Sequence, residues 1–258
     1  LGPTSIDLIQ FAVPFNPDPP YASPTHLGMA YAALLTTDLA ADVARLRAEG
    51  VELLSEPYGV PGNRFVFFRD PDGVFFKLVE TAPPHDDPDA DIHIKAMPYV
   101  ALNISDLERS LAFYRMLGYT QVRPLPSTGT LAEARAYGLD APFELRGADI
   151  ALPGGDRHRL RLVQWLDPYN GDPPYSAPIN HIGIDRIALA VADLDLAVET
   201  LQELGAQFLS EIAPCCSGTG DDETGIINLI DPDGIFLELV GPIARRERVA
   251  PPVWCEAD

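Results

Sequence analysis

Histidine and cysteine are the side chains that most often hold metals or attack substrates, and this chain has five and three of them in 258 residues. Cys215, Cys216 and Cys255 lack the paired spacing of a metal site, and adjacent cysteines rarely bond to each other. They read as reduced thiols of a cytoplasmic protein. The histidines are more informative because two of them recur. His26-Leu27-Gly28 and His181-Ile182-Gly183 stand at one constant offset (181 − 26 = 155), and His93 heads a further segment. In a regular strand, His181 and Arg186 would point to opposite faces. His181 then lines a site beside Arg186 only if a bulge intervenes.

The offset extends well beyond the histidines. Leu34/Leu189, Asp38/Asp193, Leu39/Leu194, Val43/Val198 and Leu46/Leu201 all align, as do two hairpins built on Asp70-Pro71-Asp72-Gly73 and Asp231-Pro232-Asp233-Gly234. Proline presets φ for the first central position of such a turn, and glycine accepts the positive φ that closes it. Repetition on this scale marks a duplicated supersecondary module. Three modules of order β-α-β-β-β are expected, starting near His26, Ile94 and Ile184. Helices carry Leu39, Val43 and Leu46 in the first, Leu107, Leu111 and Tyr114 in the second, and Leu194, Val198 and Leu201 in the third. Ser105-Asp106-Leu107-Glu108 has the form of a capping box. Strands are expected at Ile6–Phe11, Val51–Leu54, Arg64–Arg69 and Val74–Glu80, and again near Phe143–Arg146 and Leu160–Trp165. The segment from Pro124 to Asp140 and the loop from Pro214 to Glu223 have no predictable conformation.

Composition narrows the partners. A formal charge of −20 argues against nucleic acid and anionic membranes, and no stretch has the apolar length of a membrane span. Nothing near Leu1 reads as a signal peptide.

Val100-Ala101-Leu102-Asn103-Ile104-Ser105-Asp106-Leu107-Glu108-Arg109-Ser110-Leu111-Ala112-Phe113-Tyr114, Ile187-Ala188-Leu189-Ala190-Val191-Ala192-Asp193-Leu194 and both Asp-Pro-Asp-Gly hairpins resemble the vicinal oxygen chelate superfamily. That superfamily includes glyoxalase I, extradiol dioxygenases and the bleomycin resistance proteins. The resemblance implies an α+β fold in which paired βαβββ modules form a curved mixed-sheet cup around a small-molecule pocket. It implies a partial domain at residues 1–81, a Pro/Asp-rich linker at 82–93, a complete two-module domain at 94–242 and a tail at 243–258. The unpaired module at 1–81 is then expected to find its partner upstream or in a second chain, as a homodimer.

Metal-binding members place a histidine on the first strand of each module and a glutamate on the last. Here the resemblance puts Tyr99 and Arg186 at histidine positions, and Arg161 and Glu238 at glutamate positions, with Tyr31 matching Arg186, Lys77 matching Glu238 and Asp7 matching Arg161. Arginine cannot coordinate a cation. The resemblance therefore implies no metal at this site, although Fe, Mn or Zn serves relatives. Two readings stay open. Arg161, Arg186 and Glu238 form a structural ion network in place of the metal, or the arginines clamp an anionic substrate while Glu238 acts as acid/base with Tyr99 as proton donor. Trp165, His181, Tyr169 and Tyr175 would wall the pocket. The expected function is a metal-independent isomerase or lyase acting on a small carbonyl or aromatic anion. A non-catalytic binding protein is the alternative, and a metal-dependent dioxygenase the lesser one.

Overall fold

The computed structural model describes residues 6–81, 93–155, 159–172, 175, 178–214 and 223–243. The three cysteines, all of the expected linker except His93, and the tail beyond Ile243 lie outside them. The chain divides into two compact units, Leu1–Asp185 with Pro232–Ile235, and Arg186–Asp231 with Phe236–Asp258. Among the described residues no helix is long and apolar enough to cross a membrane.

Unit 1 holds β1 (Gly28–Thr36), α1 (Leu39–Ala48), β2 (Phe65–Arg69), β3 (Phe75–Glu80), β4 (Ile94–Asn103), α2 (Leu107–Met116), β5 (Gln121–Pro124), β6 (Thr128–Gly129), α3 (Leu131–Ala136), β7 (Phe143–Ala151) and β8 (Arg159–Asp167). They make one eight-stranded sheet in the order β2-β3-β1-β4-β8-β7-β5, with β6 on β7. Within each module the first and last strands run parallel, β1 with β3 and β4 with β8, and the crossover between them carries a helix. The modules meet where β1 and β4 pair antiparallel. The first module thus has a partner inside this chain, where the sequence led one to look upstream or to a second copy. The physical reason is that β1 and β4 are each the free edge of their own module, and pairing them satisfies both rows of backbone groups.

Alternation along the strands sends Leu34, Val66 and Leu78 to one face, where they pack on Leu39 and Val43 of α1. The other face takes Tyr31, Ala33, Phe67, Phe75, Tyr99 and Ala101. Buried Asn103 pins the module junction. Its amide donates to the carbonyls of Pro24 at 3.0 Å and His26 at 2.6 Å, while its carbonyl accepts from Trp165 Nε1 at 2.9 Å.

Unit 2 is the third module: β9 (Arg186–Ala190), α4 (Leu194–Glu203), β10 (Ala213–Pro214), β11 (Glu223–Ile230) and β12 (Phe236–Ile243). Its sheet runs β10-β11-β12-β9, again with first and last strands parallel. The architecture is mixed α+β, as the repeats imply.

Several local expectations are corrected. Ile6–Phe11 forms no strand; Leu8 is 93% exposed, so no sheet edge covers it. Val51–Leu54 contributes only an isolated bridge, Leu53 to Phe68. The cap of α2 is Asp106, which accepts from Arg109 N at 2.9 Å, while Ser105 Oγ accepts from Arg109 Nη2. The irregular segment contains β6 and α3, the latter capped by Thr130.

Asn103→Leu would leave an indole N–H and two carbonyls unpaired in the interior. Urea unfolding is expected to show a loss of about 2–4 kcal/mol, against under about 1 kcal/mol for exposed Asn63→Leu.

Candidate functional site

The registers place four side chains symmetrically about the β1–β4 seam. Ala33 lies opposite Lys77 on β3, and Ala101 opposite Arg161 on β8. Tyr31 and Tyr99, each two residues before those alanines, lie opposite Ala101 and Ala33 respectively. Because residues two apart share a face, Tyr31, Lys77, Tyr99 and Arg161 converge on one side of the sheet. The small alanines leave room above the seam for the longer side chains.

A hydrogen-bonded run crosses this face. Lys77 Nζ donates to Tyr137 Oη at 3.0 Å. The hydroxyls of Tyr137 and Tyr31, and of Tyr31 and Tyr99, bond in turn. Arg161 Nη1 donates to Tyr99 Oη at 3.0 Å, and its Nε and Nη2 clasp Asp149 at 2.7 and 3.0 Å. Arg123 reaches the same carboxylate at 2.9 Å. Rings line the run: Nζ of Lys77 lies 3.7 Å from the Phe65 centroid, 4.8 Å from Tyr137 and 5.1 Å from Phe67, and the Arg161 guanidinium lies 4.0 Å over Tyr99.

Burial governs the charges. Lys77 is 3% exposed, and among the described residues no carboxylate stands within ion-pair distance of it. Loss of hydration, aided by the Arg161 charge, pushes its ammonium well below the usual lysine range, against the pull of Glu133 and Asp149. The surrounding rings favour the cation, so they offset part of that cost. Burial also opposes the charge of Asp149, but hydrogen bonds from Arg161 and Arg123 win and hold it below its ordinary value. Burial works against Arg161 too, yet Tyr99 and Asp149 keep it firmly protonated. Desolvation raises Tyr31, Tyr99 and Tyr137, so all three remain phenols.

This donor set does not suit a divalent ion. Arg161 has no lone pair to give and its charge repels a cation, the tyrosines keep their protons, and a single amine remains. Among the described residues no group of three or more His, Cys, Asp or Glu side chains is placed to hold a metal.

The sequence-derived site residues are distributed as follows. Tyr99 and Arg161 come together, with Asp149 rather than Glu238 as the carboxylate of Arg161. Trp165 is buried behind Tyr137, with ring centroids 5.6 Å apart, and spends its N–H on Asn103. His181 lies outside β9 and stacks on Tyr21 at 5.1 Å, while Tyr21 stacks on His26 at 3.9 Å and tilts against Tyr175 at 5.8 Å. Tyr169 is exposed. In unit 2, Ala188 lies opposite Glu238, and Arg186 Nε stands 3.6 Å from Glu238 Oε2. That module therefore repeats the arrangement of Tyr31, Ala33 and Lys77 with an ion pair. Sequence reasoning missed Asp149 and Tyr137, which the resemblance does not mark. Lys77 carried a signal, since it is one of only two lysines in the chain, the other being Lys95.

The family's sequence profile, described as Glyoxalase/Bleomycin resistance protein/Dioxygenase superfamily, matches residues 4–78 and 96–239. The chain belongs to that superfamily. A protein named lactoylglutathione lyase GLX1 from Arabidopsis thaliana is 28% identical over 216 residues, covering 80% of this chain; the chain spans 64% of that relative's length. Among solved structures, an E144Q mutant of glyoxalase I from Zea mays superposes with a TM-score of 0.53 at 21% identity, over 83% of this chain and 68% of that one. A Bacillus subtilis protein described as a putative dioxygenase gives 0.51 at 11% identity, over 86% and 63%. These two likenesses establish fold alone.

Replacing Lys77 by methionine should leave stability unchanged or raise it by up to about 2 kcal/mol, because an unpaired buried charge is costly. A lysine lowered on folding binds fewer protons than its unfolded counterpart between the two pKa values. Native stability should therefore rise as pH climbs through that window to about 10.4. Urea midpoints measured from pH 6 to about 9.5 should show this slope in the native chain and not in Lys77→Met.

Proposed function

We propose that the tyrosine face of unit 1 is the working site of a metal-independent catalyst of the isomerase or lyase kind, acting on a small carbonyl or aromatic anion. The observation that carries this is the placement of Lys77 and Arg161 opposite the two seam alanines. A lowered amine and a permanent cation stand among phenols, which can shuttle protons to a developing oxyanion. Three arginines, Arg123, Arg159 and Arg161, neighbour Asp149, and with Lys77 they outnumber the two acids that bear on this face, Asp149 and Glu133, so positive charge is in local excess on a chain of net charge −20. An anion is favoured there. In unit 2, Arg186 and Glu238 serve as a second clamp and acid/base pair. A non-catalytic binding role is the second reading. It is favoured by the filled face, where Tyr137 already occupies the space above the seam.

Metal content and turnover test the proposal together. After incubation with Fe(II), Mn(II), Zn(II) and Ni(II), and removal of free ions, elemental analysis should find well under one metal per chain. Cleavage of S-lactoylglutathione, the compound named in the Arabidopsis relative, is then assayed with EDTA present. Turnover that survives chelation and falls about tenfold or more in Arg161→Gln supports the proposal. Activity recovered only with stoichiometric metal overturns it, and ligand returned unchanged selects the binding role. The Glu238→Gln variant should lower kcat about a hundredfold with little change in KM if that carboxylate moves a proton; an unchanged kcat removes it from the mechanism.

A further inference from the structure

Three modules share one plan, and two of them share a seam. β1 and β4, the first strands of the first two modules, close each other's edges. β9, the first strand of the third, ends its sheet in the order β10-β11-β12-β9. Among the described residues no strand lies on its outer side. The other sheet ends are guarded. The loop before β2 covers it, the amides of Leu54 and Tyr58 donating to the carbonyls of Phe67 and Phe65. β5 is four residues long and ends on Pro124, and β10 is two and ends on Pro214. A covering loop, short length and proline are the usual protections of an edge. β9 has five residues, no proline and no register shift, and its run Ile187-Ala188-Leu189-Ala190 carries no charge. Ala188 is exposed, whereas its counterparts Ala33 and Ala101 are both 0% exposed in the seam of unit 1. Val191 N donates to Val240 O on β12 at 2.9 Å, so by alternation Ala188 and Ala190 turn their backbone groups to the outer edge.

We infer that β9 pairs antiparallel with β9 of a second copy of this chain, about a two-fold axis at Ile187, and that each copy gives Arg186 and Glu238 to one ionic cluster over the new seam. The seam of unit 1 shows why such an edge is its own complement. It is symmetric about Ala32 opposite Val100, flanked by Tyr31 opposite Ala101 and Ala33 opposite Tyr99. The same positions of two modules thus meet in opposite order. Registers within the modules make Ala33, Ala101 and Ala188 equivalent, facing Lys77, Arg161 and Glu238 respectively. Arg186, two residues before Ala188, then stands where Tyr31 and Tyr99 stand. Applied to two copies of β9, the pattern sets Ile187 against the partner's Ile187, and Arg186 against the partner's Ala188. A large side chain again falls beside a small one. Across the partner's Ala188 lies the partner's Glu238. Arg186 Nε is 3.6 Å from its own Glu238, beyond hydrogen-bond range, and a guanidinium fork can serve carboxylates on two sides. Two arginines and two glutamates balance their charges. A self-complementary edge of this kind gives a closed, isologous dimer. The sequence assigned the want of a partner to the first module, and the strand order moves it to the third. The inference stands apart from the function proposed above, since it rests on backbone register and not on a substrate.

Each copy carries a charge of −20, so association is measured at about 0.15 M salt, where repulsion beyond about 8 Å is screened. Sedimentation of the full chain from about 1 to 100 µM should show a dimer of twice 28.0 kDa, with its midpoint in the micromolar range. Ala188→Pro removes an outward N–H, which an edge strand tolerates, and the symmetry makes the loss count twice. Dimerisation should weaken about tenfold or more, with the circular dichroism of the native chain retained. Cysteine substitution reads the register, whether or not the proline variant folds. With Cys215, Cys216 and Cys255 replaced by serine, Ile187→Cys should cross-link on mild oxidation, because residues facing each other at such a position lie about 4.5 Å apart. Ala190→Cys, set well apart from its counterpart, should not. Arg186→Glu and Glu238→Arg should each stay monomeric alone and dimerise when mixed, since only the mixed seam balances its charges. A chain that sediments as a monomer throughout overturns the inference. So does a dimer that a folded Ala188→Pro leaves intact, cross-linking at Ala190 in place of Ile187, or a charge-swapped mixture that stays monomeric.

Discussion

The antiparallel pairing of β1 with β4 is the contact on which unit 1 depends. Each βαβββ module has its first strand at an edge, and such an edge exposes a row of unpaired N–H and C=O groups. Joining two edges closes both and makes eight strands continuous. It also fixes the chemistry, because the seam decides which residues of two separate modules face each other. Tyr31 and Tyr99 cross it, and Lys77 and Arg161 flank it. Asn103, one end of the seam, ties it to the loop before β1 and to Trp165 through three hydrogen bonds.

Once the seam is set, the electrostatics follow from burial. Lys77 and Arg161 are both taken out of water, but they are treated differently. Arg161 has a carboxylate in Asp149, a second arginine sharing it, and a phenol. Lys77 has rings and a hydroxyl. One cation is locked and the other is held reluctantly. In a superfamily whose metal-binding members are expected to place ligands at these positions, a fixed charge, a labile one and two phenols stand in their place. The module in unit 2 uses the same two positions for Arg186 and Glu238, so an ion pair and a phenol–amine pair are alternative fillings of one geometric slot.

Much of this was legible in the chain before any coordinates. The constant offset between modules, the Asp-Pro-Asp-Gly turns and the helix stripes are local or periodic, and local rules wrote them. Gly73 and Gly234 take the positive φ that the turns require, 89° and 87°. The cap of α2 fell one residue from its expected place, since Ser105 and Asp106 are both competent caps and only the path of the backbone chooses between them. Ile6–Phe11 has the alternation of a strand, but alternation supplies no hydrogen-bonding partner.

Sequence by itself determined the repeats, the superfamily and the residues that stand where relatives are expected to hold a metal. Each of these is a matter of pattern along one chain. Tertiary structure decided which modules share a sheet and which charges neutralise each other. Asp149 as the partner of Arg161, and Tyr137 as the partner of Lys77, are 12 and 60 residues away in sequence. Neither pairing follows from periodicity. They arise because strand pairing brings β7 beside β8, and because α3, in a segment with no regular pattern, sets a tyrosine over the seam. The lability of the Lys77 amine has the same origin, since burial is a property of the folded surface and not of the residue.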